Sequence, residues 1–151
     1  MSTKRSIILK GTPKQNEDGV TATTIKPGYL VKGVSVIAAQ DAAATSRSPA
    51  NFALEREELG AGVDNTLQGS GTISAFYASG DQVKVGSFAP GDRVLGYVAS
   101  GETVNEDTLL ASHGTQAGTL AAATTAVGVL ARSLDNLGTV AVETFCRIEV
   151  I

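Results

Sequence analysis

Tryptophan is absent from this chain, cysteine, histidine and methionine occur once each, and aromatic residues make up only 5% of its 151 positions. Each shortage removes a class of function. The lone Cys146 cannot close an intrachain disulfide, and one cysteine with one histidine cannot supply the four ligands of a structural zinc. Hydrolytic catalysis needs a base beside its nucleophile, yet the only histidine, His113, lies in the turn-like SHGTQAG and no G-x-S-x-G elbow occurs. No Gly-Lys-Ser/Thr is present, so a Walker A loop is missing. No apolar run approaches the roughly 18 residues of a membrane span, and MSTKRSIILKGTPK lacks the apolar core and cleavage site of a signal peptide. The expectation is a non-enzymatic chain made in a cytosol-like compartment, with no catalytic set, cofactor, metal or membrane contact.

What the chain does have is strands. TISAFYAS (72–79), DRVLGYVAS (92–100), AVGVLARSL (126–134) and TVAVETFCRIEVI (139–151) carry the length, β-branching and alternation of strands, and GSG, SGDQ, APGD, SGETVNED, SHGTQAG and DNLG punctuate them as turns. In the last run Val140, Val142, Cys146, Ile148 and Val150 share one parity while Glu143, Arg147 and Glu149 share the other, the mark of a half-buried strand. That parity makes Cys146 a small buried hydrophobe. Tyr29–Val31 and Val34–Ala38 read as two further strands after a Pro-Gly turn. In SPANFALEREELG, a capping Ser48, Pro49 at the first helical position and Gly60 as terminator predict a short helix with Phe52 and Leu59 inward; the competing reading is an exposed strand with Phe52 and Leu54 two apart.

Charge is unevenly spread. Residues 1–34 hold Lys4, Arg5, Lys10, Lys14, Lys26 and Lys32 against Glu17 and Asp18, a net +4, so the rest of the chain carries −7. The basic segment lacks the charge density and interleaved aromatics of nucleic-acid binders, so no direct nucleic-acid contact is expected. Its apolar centre, SIIL (6–9), predicts a strand that adds to the edge of a partner, with Ile7, Ile8 and Leu9 filling pockets and Lys4, Arg5 and Lys10 meeting acidic surface; the alternative is an arm folded back on its own body. Residues 10–26 are polar and without sustained period. The expected organisation is an extended N-terminal arm over residues 1–24 and one β-rich body over 25–151. A body of this size can bury roughly two-thirds of its unfolded surface without metal or disulfide staples.

Several weaker motifs resolve into structure. Gly69-Ser70-Gly71-Thr72-Ile73-Ser74 starts like a dinucleotide fingerprint but has Ser74 where the third glycine belongs and runs into a strand, so it reads as a turn. Glu102, Glu106 and Asp107 crowd one turn without the alternating ligand order of a calcium loop, and read as a solvated hairpin. Glu55, Glu57 and Glu58 read as a wet face. APGDRVLGYVASGETVNEDTLLASHGTQAGTL follows the cadence of biotinyl or lipoyl carrier barrels, but the last lysine, Lys84, precedes it, so no acceptor stands at a hairpin tip.

Taken along its length, the basic arm, IKPGYLV, FALEREELGAGVD, SGDQVKVGSFAPGDRVLGYVASGETV, DTLLASHGTQAGTL and AVGVLARSLDNLGTVAVETFCRIEVI, the chain resembles the head decoration, or capsid cement, proteins of tailed bacteriophages. The resemblance is one of cadence over most of the chain. It implies a mainly β protein with a small β-barrel or sandwich (β-tulip-like) body, an extended N-terminal arm and at most one short helix. It further implies a homotrimer on the outer surface of the expanded capsid, holding neighbouring major capsid protein subunits together against internal DNA pressure. The alternative is a β-rich sugar- or small-molecule-binding module of a fibre or tail. For that, Tyr29, Tyr77 and Tyr97 offer few aromatic platforms.

Overall fold

The structure, a computed structural model, describes residues 7–17, 19–33, 35–39, 50–55, 76–124 and 128–151. Among these residues there are strands and turns and no helix. The centre is a closed five-stranded barrel of β8 (Arg93–Val98), β10 (Leu109–Ser112), β11 (Leu120–Ala122), β12 (Ala131–Ser133) and β14 (Thr144–Val150), in the order β8-β11-β10-β12-β14. Antiparallel pairing of β14 with β8 from Thr144↔Val98 to Glu149↔Arg93 closes it. Closure pairs most of the edge that an open sheet of this size would leave free. The parity seen in the sequence sets the facing, so Val94, Val98, Leu110, Leu120, Ala131, Cys146, Ile148 and Val150 are all buried.

β8 has two neighbours along its second edge. Its last residue pairs with β11 through Val98↔Leu120, and its first two pair with β1 (Ile8–Lys10). Ile8 faces Val94 and Lys10 faces Arg93, leaving Leu9 as the extra residue of a β-bulge. Just before β1, Ile7 is completely buried in the barrel core, with its carbonyl accepting the Leu95 N–H at 2.8 Å and its own N–H donating to Glu55 Oε2 at 3.1 Å.

Against the barrel lie two three-stranded sheets. One is β2 (Lys14–Asn16), β7 (Val85–Ser87) and β6 (Asn51–Ala53); the other is β3 (Val20–Thr21), β5 (Val36–Ala39) and β4 (Val31–Lys32). They enclose a second core of Ile25, Val31, Ile37, Ala53, Tyr77, Val83 and Val85. Tyr77 is fully buried and keeps its hydroxyl satisfied, donating to Leu54 O at 2.8 Å and accepting the Lys84 N–H at 3.3 Å. A short ribbon of β9 (Thr103–Val104) and β13 (Gly138–Thr139) completes the described strands.

The turns share one construction. Tyr29, Asp81, Asp92, Glu102, Thr108 and Thr119 each donate a backbone N–H to the carbonyl three residues back, with a positive φ just before the donor. This is the type II pattern that PG, SG and AG dipeptides announce. Only one of them lacks glycine at that place, Asp107 with φ 66°.

Two expectations need correction. The helix is replaced over its described part by β6. Phe52 and Leu54 enter the barrel core while Ala53 enters the second core, and successive residues that alternate between two cores follow the period of two of a strand, not the 3.6 of a helix. The rest of that window, including Leu59, Glu57 and Glu58, lies outside the described residues. The last strand starts at Thr144: a bend at Ala141 and Val142 interrupts the alternation, so Val140 is buried but Val142 is 68% exposed. β1, β2 and β3, all within residues 1–24, pair with β8, β7 and β5. Of the 72–79 strand, the described part contributes a single bridge, Tyr77↔Ile25.

Candidate functional site

Four places gather the side chains that could carry a function. The first is the N-terminal strand. Lys4 and Arg5 lie outside the described residues, as does the Gly69–Ser74 motif. Ile7, expected in a partner's pocket, is buried in its own barrel, and strand addition takes place within the chain because β8 offers an unpaired half-edge a few residues wide. Ile8 is half-buried, whereas Leu9 (42% exposed) and Lys10 face outward, followed by the exposed β2 with Lys14.

Lys10 also begins a charged rung around the barrel. Register places Lys10 beside Arg93, Arg93 beside Glu149 and Glu149 beside Arg132. Glu149 accepts from Arg93 Nε at 3.0 Å and from Arg132 Nη2 at 3.0 Å, and Arg132 reaches on to Asp107. Hydrogen bonds from Arg93 and then Arg132 hold the Glu149 carboxyl below its ordinary range. One rung above, Arg147 pairs with Asp135 at 2.6 Å; burial pushes the Asp135 carboxyl up, but the hydrogen bonds from Arg147 outweigh it and the net shift is downward.

The second place is an aromatic shelf on the outer face of β8 and β14. Tyr97 stacks on Phe145 with centroids 4.1 Å apart, and Tyr29 meets Tyr97 edge-on at 5.4 Å. Lys26 runs across this group, 5.2 Å from the centroid of the 43%-exposed Phe76, and ion-pairs with Glu143. The Tyr29 hydroxyl lies 3.3 Å from both Glu143 oxygens. The Glu143 hydrogen bond raises the Lys26 pKa, while burial raises those of Tyr29 and Tyr97. Gly28, φ +100°, lets the chain pass here, since a Cβ would stand 2.8 Å from Phe145. Sequence reasoning missed this shelf. Its members lie up to 117 residues apart, and only the Lys-Pro-Gly turn and the outward parity of Glu143 pointed toward it.

His113 is the third. It is a turn residue as expected, but its ring has partners. Nδ1 accepts the backbone N–H of Thr115 at 3.1 Å and of Gln116 at 2.9 Å, and Nε2 faces Glu102 Oε1 at 3.7 Å. Of the three crowded acids, Glu102 thus turns to His113 and Asp107 to Arg132. Cys146 is the fourth, buried and 3.3 Å from Ser133 Oγ; burial pushes its thiol pKa up, away from a reactive thiolate. Among the described residues no group of three His, Cys, Asp or Glu side chains is placed to hold a metal ion. Nor is any described helix long and apolar enough to cross a membrane. A cavity of about 120 Å³ opens between the two small sheets, lined by Asn16, Gly19, Gly33, Ile37, Asn51, Val85 and Ser87.

Scanned against protein-family models and curated protein sequences, the chain matches none.

Proposed function

We propose that this chain is a structural, non-enzymatic virion protein that binds the outer surface of an expanded bacteriophage capsid as a homotrimer and holds neighbouring major capsid protein subunits together. The observation that carries this reading is the division of labour in the first strand. Ile7 anchors the segment in the barrel, while Leu9, Lys10 and Lys14 are presented outward beside the Arg93 end of the charged rung. An anchored, outward-facing basic strip suits a contact with acidic protein surface. The bulge at Leu9 twists the free edge of β1, which favours contact through side chains over addition of another strand.

The direct test is co-sedimentation of purified protein with expanded, undecorated heads. The expected result is saturable binding, weakened about tenfold or more by the double change Leu9→Asp and Lys10→Glu, with the variant's unfolding midpoint unchanged. Absence of saturable binding by the intact protein would end the proposal. Light scattering tests the assembly: a trimer has three times the 15.4 kDa chain mass.

A second reading, a saccharide-binding module of a fibre or tail, draws on the shelf, which gathers Tyr29, Tyr97, Phe145 and Phe76 in one place. Retention on host surface polysaccharide that Phe76→Ala abolishes would favour it over the capsid reading.

A further inference from the structure

The His113 ring is used in an unusual way. Thr115 and Gln116 both donate backbone N–H groups to Nδ1, and the Thr115 hydroxyl lies 3.4 Å from the same atom. Two amide donors fix the tautomer: Nδ1 must be unprotonated, so the ring proton sits on Nε2, toward Glu102. The imidazole therefore does what an aspartate or asparagine side chain does in an Asx turn, closing the backbone two and three residues on. Unlike those side chains, it can lose this ability, because imidazole takes up a second proton between about pH 5 and 8.

What the turn holds gives the loss a consequence. Gln116 clasps the β8–β9 turn through a reciprocal pair, accepting the Ser100 N–H at 3.0 Å and donating to Ser100 O at 3.0 Å. Gly118 O accepts the Leu30 N–H at 2.9 Å, and Gly118 lies so tightly under Tyr29 that a Cβ would come within 2.6 Å of its ring. The turn thus supports one side of the aromatic shelf.

We propose that residues 113–118 form an acid-sensitive latch, in which protonation of His113 Nδ1 expels the Thr115 and Gln116 amides, opens the turn and loosens the seat of Tyr29. A doubly protonated ring presents an N–H to two other N–H groups, so the turn cannot keep its geometry. Glu102 is the one charged group within ion-pair reach of the ring among the described residues.

Amide hydrogen exchange on the full chain tests this. The Leu130 N–H, bonded to Leu110 O at 2.9 Å in the barrel, serves as reference. Between pH 7.5 and 5 the protection of Thr115 and Gln116 relative to Leu130 is expected to fall, by up to about tenfold per pH unit for a single-proton linkage. His113→Asn, whose Oδ1 can accept the same two amides at any pH, should keep protection and remove the pH dependence. Relative protection that stays constant with pH in the unaltered protein, or a pH dependence undiminished in His113→Asn, would overturn the proposal. Should His113→Asn fail to fold, the imidazole ¹⁵N shifts of the unaltered chain decide: a neutral ring protonated on Nδ1 excludes the latch.

Discussion

Ile7 and Leu9 sit two residues apart and should respond oppositely to truncation. Ile7 has no exposed surface in the barrel core, so Ile7→Ala should cost about 2–5 kcal/mol by lost burial and cavity formation, whereas exposed Leu9→Ala should stay within about 0.5 kcal/mol in urea unfolding. Ser112 offers the reverse case. Its hydroxyl is buried without a hydrogen-bond partner, and removing such a group relieves an uncompensated desolvation, so Ser112→Ala should leave stability unchanged or raise it by about 1 kcal/mol. Glu149 gives the pH test. Its carboxyl titrates below the ordinary 4.5 when folded, so its contribution is present above that value and is lost as pH falls through the lowered folded value. The difference in urea midpoint between the unaltered chain and Glu149→Gln should therefore be visible at pH 7 and close toward pH 3. Equal differences at both pH values would show that the Arg93 and Arg132 bonds do not carry it.

At the scale of elements, the first strand is where truncation discriminates most sharply. Removing residues 1–10 strips β8 of its partner at Arg93 and Val94. This deletion should lower the midpoint and cause concentration-dependent association, since an unpaired edge is a template for another strand. Light scattering alongside unfolding reads both effects. How far such elements were legible in the sequence depended on the range of the forces that set them. The 92–100 run became β8 at Arg93–Val98, and the Pro-Gly and Ser-Gly turns appeared where their dipeptides stood, because turn geometry and strand parity are decided within a few residues. The β6 window reads as a helix because Ser48-Pro49 and the following glutamates are local signals, whereas the two cores that flatten Phe52-Ala53-Leu54 into a strand come from residues far along the chain. SIIL was legible as a strand that adds to an edge. That the edge belonged to the same chain was not, because nothing local reports the half-edge that β11 leaves open on β8.

Under the proposed function, the whole molecule is a closed barrel with a basic leading strand that acts on a shell. A subunit that binds only the assembled capsid stabilises it by mass action, about 2.7 kcal/mol per site when free protein stands at a hundred times its dissociation constant. Many sites act on one particle, so the increments reinforce one another where the shell would first open. Under the proposed function, heads lacking this protein should assemble but release DNA at a lower temperature than heads re-decorated with it. The Leu9→Asp and Lys10→Glu double variant should restore less of the difference at equal concentration. Coincident release curves for bare and re-decorated heads would reduce the protein to a passive coat. Ionic strength separates the contributions. The chain carries +4 over residues 1–34 and −7 over the remainder, so a basic strip that steers docking is screened by salt over about 8–10 Å, while apolar contacts already made are not. Raising salt should therefore slow re-decoration more than it speeds loss of bound subunits, and an equal effect on both rates would place the binding energy in the charges themselves.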